Sequence, residues 1–392
     1  MQKNVFNQAV YYYVFLLFFF LLNMQTLTIK GMFTEYPIKI FHLFSFLIIF
    51  LIIIRKFAVP SVKVTSFYLS IFIVTTINFI YDASFNSLII NYLFAFYVYL
   101  LGKNAYEFLG QRVYKMLRVV SIIMLLLVLI KAIVNYNIII EFIMSPYGHP
   151  ILPWFYGGEA NLEATWISLS IVFFINSRYF TPLLMVSILI SVMYASRVGI
   201  IISLLLLLFK VKDFNKKKII RMTLGVIVIA IAILVILSLN PYLVERFFSI
   251  GEDPGSLGRL DLWSKIGEAF VNRPLTGYGA GNAVNELRNL SGINFLEDNV
   301  HNYYIQLVLD FGIIPFLIYI YIAFRVMYYG WKTKFSDPLV IYLTIFFVVA
   351  MIQFRGAETF FWFIFGIFEM SVAKKQEGNK VEQDSGFNSS IQ

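Results

Sequence analysis

Apolar residues run along this chain in long, nearly unbroken blocks, and the polar residues are gathered between them. Blocks approaching the ~20 residues that a bilayer crossing requires fall near 9–29, 38–54, 65–81, 87–102, 117–134, 162–177, 180–195, 197–209, 219–240, 312–329, 338–354 and 357–373. They predict about twelve transmembrane helices. The first block ends in Asn23-Met24-Gln25-Thr26 without a small-residue cleavage pattern, so it reads as a retained helix and not as a removed signal peptide. Two connections are long, 135–161 and 241–304. The second mixes glycine, proline, tryptophan and charge, as a folded loop does. Its stretch from Ser256 to Val271 sets Leu260, Trp263, Gly267 and Phe270 at helical spacing, which predicts one short amphipathic helix stopped by Arg273-Pro274. The bundle is expected to occupy 1–373, and the polar tail 374–392 has the composition of a disordered segment.

Composition removes the soluble alternatives. The chain is 60% hydrophobic and 14% charged, against about 45–50% and about 25% in globular proteins, and its mean hydropathy is +0.79. The expected fold is therefore an all-α polytopic membrane protein with one large folded extracytoplasmic loop and no separate soluble domain. No repeat of 20–50 residues is visible, nor a matched pair of broken helices of the kind many transporters carry.

The net charge of +9 invites a nucleic-acid reading, but its placement favours topology. With a cytoplasmic N-terminus, twenty-one of the 31 Lys and Arg residues fall on the inner side, among them the cluster Lys216-Lys217-Lys218 and the pair Lys374-Lys375. The positive-inside rule then predicts both termini in the cytoplasm, segments 135–161 and 241–304 outside, and no nucleic-acid partner.

Chemistry must come from few residue types. The absence of cysteine excludes disulfides and thiolate nucleophiles, and three dispersed histidines, His42, His149 and His301, leave little for a metal centre. The exceptions to the charge rule are the most informative residues. Arg197, in Tyr194-Ala195-Ser196-Arg197, falls in a connection so short that its guanidinium lies at the outer edge of the bundle. Two readings stand for it: an arginine held by backbone carbonyls or by an acid such as Glu159 or Glu358, or a five-donor fork for a phosphate. Arg259 sits in the first turn of the expected loop helix, where it either pairs with Asp261 or Glu252 or reinforces the helix dipole at an anion site. Arg273, Arg288 and Arg355 are external but lie beside acids or turns. His301 opens His301-Asn302-Tyr303 where the large loop returns to the membrane, and serves there as a structural residue or as a base. The cluster Gly277-Tyr278-Gly279-Ala280-Gly281 lacks the strand context of a dinucleotide loop and reads as tight turns. Trp154, Phe155 and Tyr156 have the ring faces needed to stack on sugars.

Several of these motifs occur in an order that resembles the O-antigen ligase/polymerase family of bacterial membrane glycosyltransferases. The residues are Gly158-Glu159-Ala160-Asn161-Leu162-Glu163-Ala164, Ser196-Arg197, Gly258-Arg259 with Trp263, Asn272-Arg273-Pro274-Leu275-Thr276-Gly277-Tyr278-Gly279, and His301-Asn302-Tyr303 leading into Leu309-Asp310-Phe311-Gly312. Ala160 stands where the family commonly has proline. The resemblance implies a GT-C-like helical fold in the bacterial cytoplasmic (inner) membrane. It implies transfer of a sugar chain from an undecaprenyl-diphosphate carrier at the outer face, with neither cofactor nor metal. It casts Arg197 and Arg259 as the diphosphate clamp, and His301 as the catalytic base. Glu159, Asn161, Arg273, Asn302 and Tyr303 are cast as supporting residues. The expected partners are the undecaprenyl-diphosphate-linked oligosaccharide, membrane lipids, a chain-length regulator and a repeat-unit flippase. A polymerase of O-antigen, capsule or exopolysaccharide repeats is the expected activity. The alternatives are a ligase acting on lipid A core, and a flippase, which would place its charges within the spans.

Overall fold

Without water to bond to, a backbone in hydrocarbon must satisfy its own N–H and C=O groups, so uniformly apolar blocks become helices. The computed structural model of the protein describes residues 2–29, 38–53, 58–82, 88–144, 160–211, 254–292, 300–354 and 358–389. The membrane part comprises α1 (Gln2–Asn23), α2 (Ile40–Ile53), α3 (Val62–Asp82), α4 (Ile89–Leu109), α5 (Arg112–Val134), α6 (Tyr136–Met144), α7 (Ala160–Ser170) with a 3-10 turn at Ile171–Phe174, α8 (Phe180–Met193) and α9 (Arg197–Val211). A two-stranded antiparallel ribbon, β1 (Thr28–Ile29) with β2 (Ile38–Lys39), joins α1 to α2. Four short helices follow, α10 (Pro254–Ser264), α11 (Ile266–Asn272), α12 (Ala283–Ser291) and α13 (Tyr303–Phe311), before α14 (Ile313–Lys332), α15 (Pro338–Val349) and α16 (Thr359–Ser389).

Every expected apolar block except 219–240, which lies outside the described residues, falls on a helix. Among the described residues Val62–Tyr81, Arg112–Val134 and Ile313–Lys332 are long and apolar enough to cross a membrane, and Gln8–Asn23, Ile40–Phe50, Asn161–Phe174, Phe180–Met193 and Pro338–Val349 are shorter apolar helices.

The closest helix pair is α4 with α16. A methyl group on Gly102 would collide with the Phe363 carbonyl, and one on Gly366 with the Tyr99 carbonyl, so two reciprocal glycines let the backbones touch. Beside them an aromatic cluster fills the centre, with Trp362 packed on Phe67 (5.4 Å between ring centroids) and on Tyr68 and Phe361 (5.0 Å each). At one end of the bundle exposed lysines meet largely buried acids: Lys374 pairs with Glu107 (3.1 Å), and Lys375 with Asp337 (3.2 Å), which also accepts the Tyr114 hydroxyl and caps α15 through Leu339 N. These anchors lead α16 onward as helix through Ser389, where composition alone suggested disorder from Lys374; helix-favouring Lys, Gln and Glu residues continue an already nucleated span.

The large loop differs from its expectation in one respect. Instead of one helix over 256–271 there are two, because Lys265 (φ −95°, ψ 1°) closes α10 through its N–H to Leu262 O and opens α11 by accepting from Ala269 N. The stop at Arg273-Pro274 is as expected, α11 ending at Asn272. These short helices build a second, small core of Leu262, Ala269, Ala283, Val284, Leu287, Val300 and Leu309, separate from that of the bundle.

Candidate functional site

The site assembles at the end of the bundle opposite the Lys374–Glu107 pair. Its first corner is the elbow between α8 and α9. Tyr194, Ala195 and Ser196 are buried, Ala195 has φ 49°, Ser196 N donates to Ser191 O (2.7 Å), and Gly199 N donates to Ser196 Oγ (3.3 Å). The elbow thereby sets half-buried Arg197 at the very start of α9, where the helix dipole adds to its positive field. Small residues lock α7, α8 and α9 together beneath it: Ser168 Oγ lies 2.8 Å from Ser187 Oγ, and Gly199 packs on Ser191 and Ala164.

Directly under the elbow lies a group of charges that reading the sequence by spans missed. Glu163 of α7, fully buried, accepts a hydrogen bond from Lys131 Nζ of α5 and another from the Tyr194 hydroxyl (3.0 Å). The Lys131 ammonium also sits 5.6 Å from the Tyr194 ring centroid. The visible signal was two opposite charges at the ends of apolar blocks 117–134 and 162–177, residues that were read only for topology or as part of a motif.

The second corner is the return of the loop. Asn302 caps α13, its side-chain oxygen accepting from Tyr304 N (3.0 Å) and Ile305 N (3.1 Å). His301 just before it adopts φ 55° and is 3% exposed, an infrequent conformation for a residue with a side chain. It is gripped from both sides. Trp263 Nε1 of α10 donates to Val300 O (3.0 Å), while on the bundle side Tyr303 N donates to Ala350 O and Tyr304 OH to Phe347 O, both at 2.8 Å. Arg259 precedes Trp263 by four residues, so the two share a face of α10, and that face meets the His301 segment. Trp166 of α7, one turn from Glu163, packs on Phe346, Phe354 and Phe360, which brings the Arg197 elbow to the same end of α15 as His301.

The glycine cluster is indeed a series of tight turns, and it has a specific seat. Gly277 has φ 58°, and any side chain there would strike the backbone of Leu309 and Asp310. Tyr278 N and Gly279 N donate to Leu309 O and Asp310 O (2.8 Å each), and the Asp310 carboxylate accepts from Gly281 N (2.9 Å), Ala283 N (3.0 Å) and Gln306 Nε2 (2.9 Å). Burial pushes the Asp310 carboxyl up to about 7 in spite of those donors. Asn78 Nδ2 of α3 donates to Thr276 O (3.0 Å), tying the turn to the bundle.

Of the remaining expected residues, Asn161 lies half-buried in the first turn of α7, and Glu159 lies outside the described residues. Arg273 ends α11 with its guanidinium 5.3 Å from the Tyr278 ring centroid. There it lines a polar cleft of about 420 Å³ in the loop helices, shared with Asn residues of α11 and α12. Among the described residues no three His, Asp or Glu side chains come together in a way that could hold a metal ion.

Residues 164–320 match the family model described as O-antigen ligase. Over those residues the chain is similar to the O-antigen ligase family, the family its ordered motifs resemble. The matched O-antigen ligase segment contains Arg197, Arg259, Arg273, His301, Asn302 and Tyr303, together with the Asp310 clasp, and it begins just after Glu163. The apolar helices and this match together mark the chain as an integral membrane protein. No curated protein matches the chain.

Proposed function

We propose that the protein transfers an oligosaccharide from an undecaprenyl-diphosphate carrier to a sugar hydroxyl, and that it polymerises repeat units in this way. The observation that carries the reading is the two-sided grip on the His301 segment at the end of the bundle that also bears Arg197, with Arg259 one helical turn before Trp263, which makes the loop-side bond of that grip. A diphosphate leaves with its electron pair and needs charge stabilisation instead of a proton, which two guanidinium forks supply. As the bond from the anomeric carbon to the diphosphate breaks, the acceptor oxygen bonds to that carbon and its proton passes to the His301 imidazole acting as general base. In this reading the protein is multi-pass in the bacterial cytoplasmic membrane, with both ends of the chain in the cytoplasm and the site outside. A flippase delivers the lipid-linked repeats and a chain-length regulator sets where growth stops. A ligase that passes the finished polymer to lipid A core is the second reading, favoured by the description of the matched family.

Arg197→Ala and Arg259→Ala should each lower polymer formation by about 10²–10³ at unchanged protein level, with Lys a poor substitute because it is not bidentate. His301→Ala should cost roughly 10²–10⁴, and near-normal turnover in His301→Gln would reduce His301 to positioning the acceptor. In a deletion strain, single repeats on the acceptor identify a lost polymerase and long carrier-bound polymer a lost ligase. A cysteine at exposed Asn289 of this cysteine-free chain should react with an impermeant reagent in spheroplasts; reaction only after lysis would invert the topology.

A further inference from the structure

The polar cleft in the loop helices is not used by the transfer step. One wall is a face of α12: Asn282, its N-cap, is followed at helical spacing by Asn285, Glu286 and Asn289, while Ala283, Val284 and Leu287 on the opposite face fill the loop core. The facing wall is Asn272 and Arg273 at the end of α11, with Tyr278 from the glycine turn. A merely solvated helix face is ordinarily rich in Lys and Glu. Here the wall is mostly carboxamide, and it is concave. At about 420 Å³ the cleft falls in the range of about 300–1,000 Å³ typical of small-molecule sites.

The chemistry of the lining selects among ligands. Each carboxamide carries donors and an acceptor side by side, the pairing that neighbouring sugar hydroxyls require; Asn282 spends Nδ2 on Tyr278 O and Asn285 accepts from Arg288 Nη1, bonds that fix both amides in orientation. One Arg and one Glu leave the lining close to neutral, which disfavours a phosphate or a nucleic acid, and its polarity disfavours a lipid tail. Tyr278 is held rigid, its hydroxyl donating to Ala269 O (2.8 Å) and its carbonyl accepting from Asn282 Nδ2 (3.0 Å), so its ring is preorganised beside the amides. Asn78 fixes the same turn to the bundle next to the proposed transfer site.

We propose that this cleft is a saccharide-binding subsite that holds a neutral stretch of the glycan chain while its end is at the transfer site. The proposal rests on the reading of the protein as a glycan transferase, and it predicts that the subsite governs how far a chain grows.

The test uses the full chain in nanodiscs and, as probe, the oligosaccharide released by mild acid from the lipid-linked pool of the host. Saturation-transfer NMR should detect binding to the wild type. Binding should weaken at least tenfold in Asn285→Ala/Asn289→Ala and in Glu286→Gln, all solvent-accessible positions outside the loop core. Lys374→Ala, at the opposite end of the bundle, should bind the probe as the wild type does. In cells the modal polymer length should fall in the cleft variants. No binding to the wild type, or equal binding and equal chain length in the cleft variants, overturns the subsite. A wild type that binds the probe but makes no polymer leaves the subsite standing and overturns the transfer reading.

Discussion

The bundle and the loop layer are held together by different means. In the bundle, α4 and α16 meet backbone to backbone through Gly102 and Gly366, and rings such as Trp362, Phe67 and Tyr68 fill the space beside them. In the loop layer the described residues form a small core, and the architecture depends on directional bonds: Asp310 collecting three donors, Trp263 on Val300, Asn302 capping α13. Shape tolerates many sequences of similar volume, whereas a directional clasp fails when one atom is wrong. The bundle is thus a scaffold and the loop layer an instrument, and the two should respond differently to substitution.

The largest effect should come where a charge is buried inside the scaffold. Lys131→Met strands the Glu163 carboxylate and should cost about 3–5 kcal/mol, whereas Lys131→Met combined with Glu163→Leu should be neutral or stabilising; melting curves in detergent check both. If the double variant is as stable as the wild type but makes no polymer, the pair orients the Arg197 elbow in addition to supporting it. Next, Gly366→Leu should wedge α4 from α16 at about 1–3 kcal/mol or more, visible as a lowered global melting temperature.

Asp310→Asn should cost about 1–3 kcal/mol, because an amide turns a donor toward one of the buried N–H groups. The loss should be local: faster hydrogen exchange at Gly281 and Ala283 with little change in bundle melting. Cooperative melting of both regions in this variant would erase the distinction between them. The same amides report pH. Since burial raises the folded pKa of Asp310 from 3.8 to about 7, its contribution to stability is fully present below about pH 4 and is lost as pH rises through about 7. Protection at Gly281 should therefore decline between those values and then level off, and in Asp310→Asn this component should vanish. The smallest effect should be Lys374→Ala, which breaks a pair with one partner 42% exposed and should cost under about 1 kcal/mol.

The same contrast explains what could be read from the sequence. Helix positions in the bundle were legible because each span is specified by twenty or so residues acting in one direction, and errors of a residue or two at the ends do not matter. In the loop the order Arg259, Arg273, His301 was legible, but their neighbourhood was not. Nothing in the spacing of Trp263 and Val300 announces their hydrogen bond, and Asp310 stands out in the sequence only as part of the motif Leu309-Asp310-Phe311-Gly312, with no sign of the donors it gathers. Lys131 and Glu163 are 32 positions apart, and only the packing of α5 against α7 turns two topology markers into one buried pair. The break at Lys265 was invisible for a related reason: a helix continuing through that point satisfies the same apolar spacing.

The helix α13 belongs to both regions at once. Leu309 is part of the loop core, while Tyr303, Leu307 and Phe311 belong to the core of the bundle. Nine residues thus act as a shared axle, and the imidazole of His301 is mounted at its end. On the transfer proposed above, a tilt of the loop layer that admits a glycolipid has to turn this axle or pull Leu309 from its seat, and either motion displaces His301. Loading and bond-making would then be coupled, because the proposed base is out of position while the loop layer is tilted.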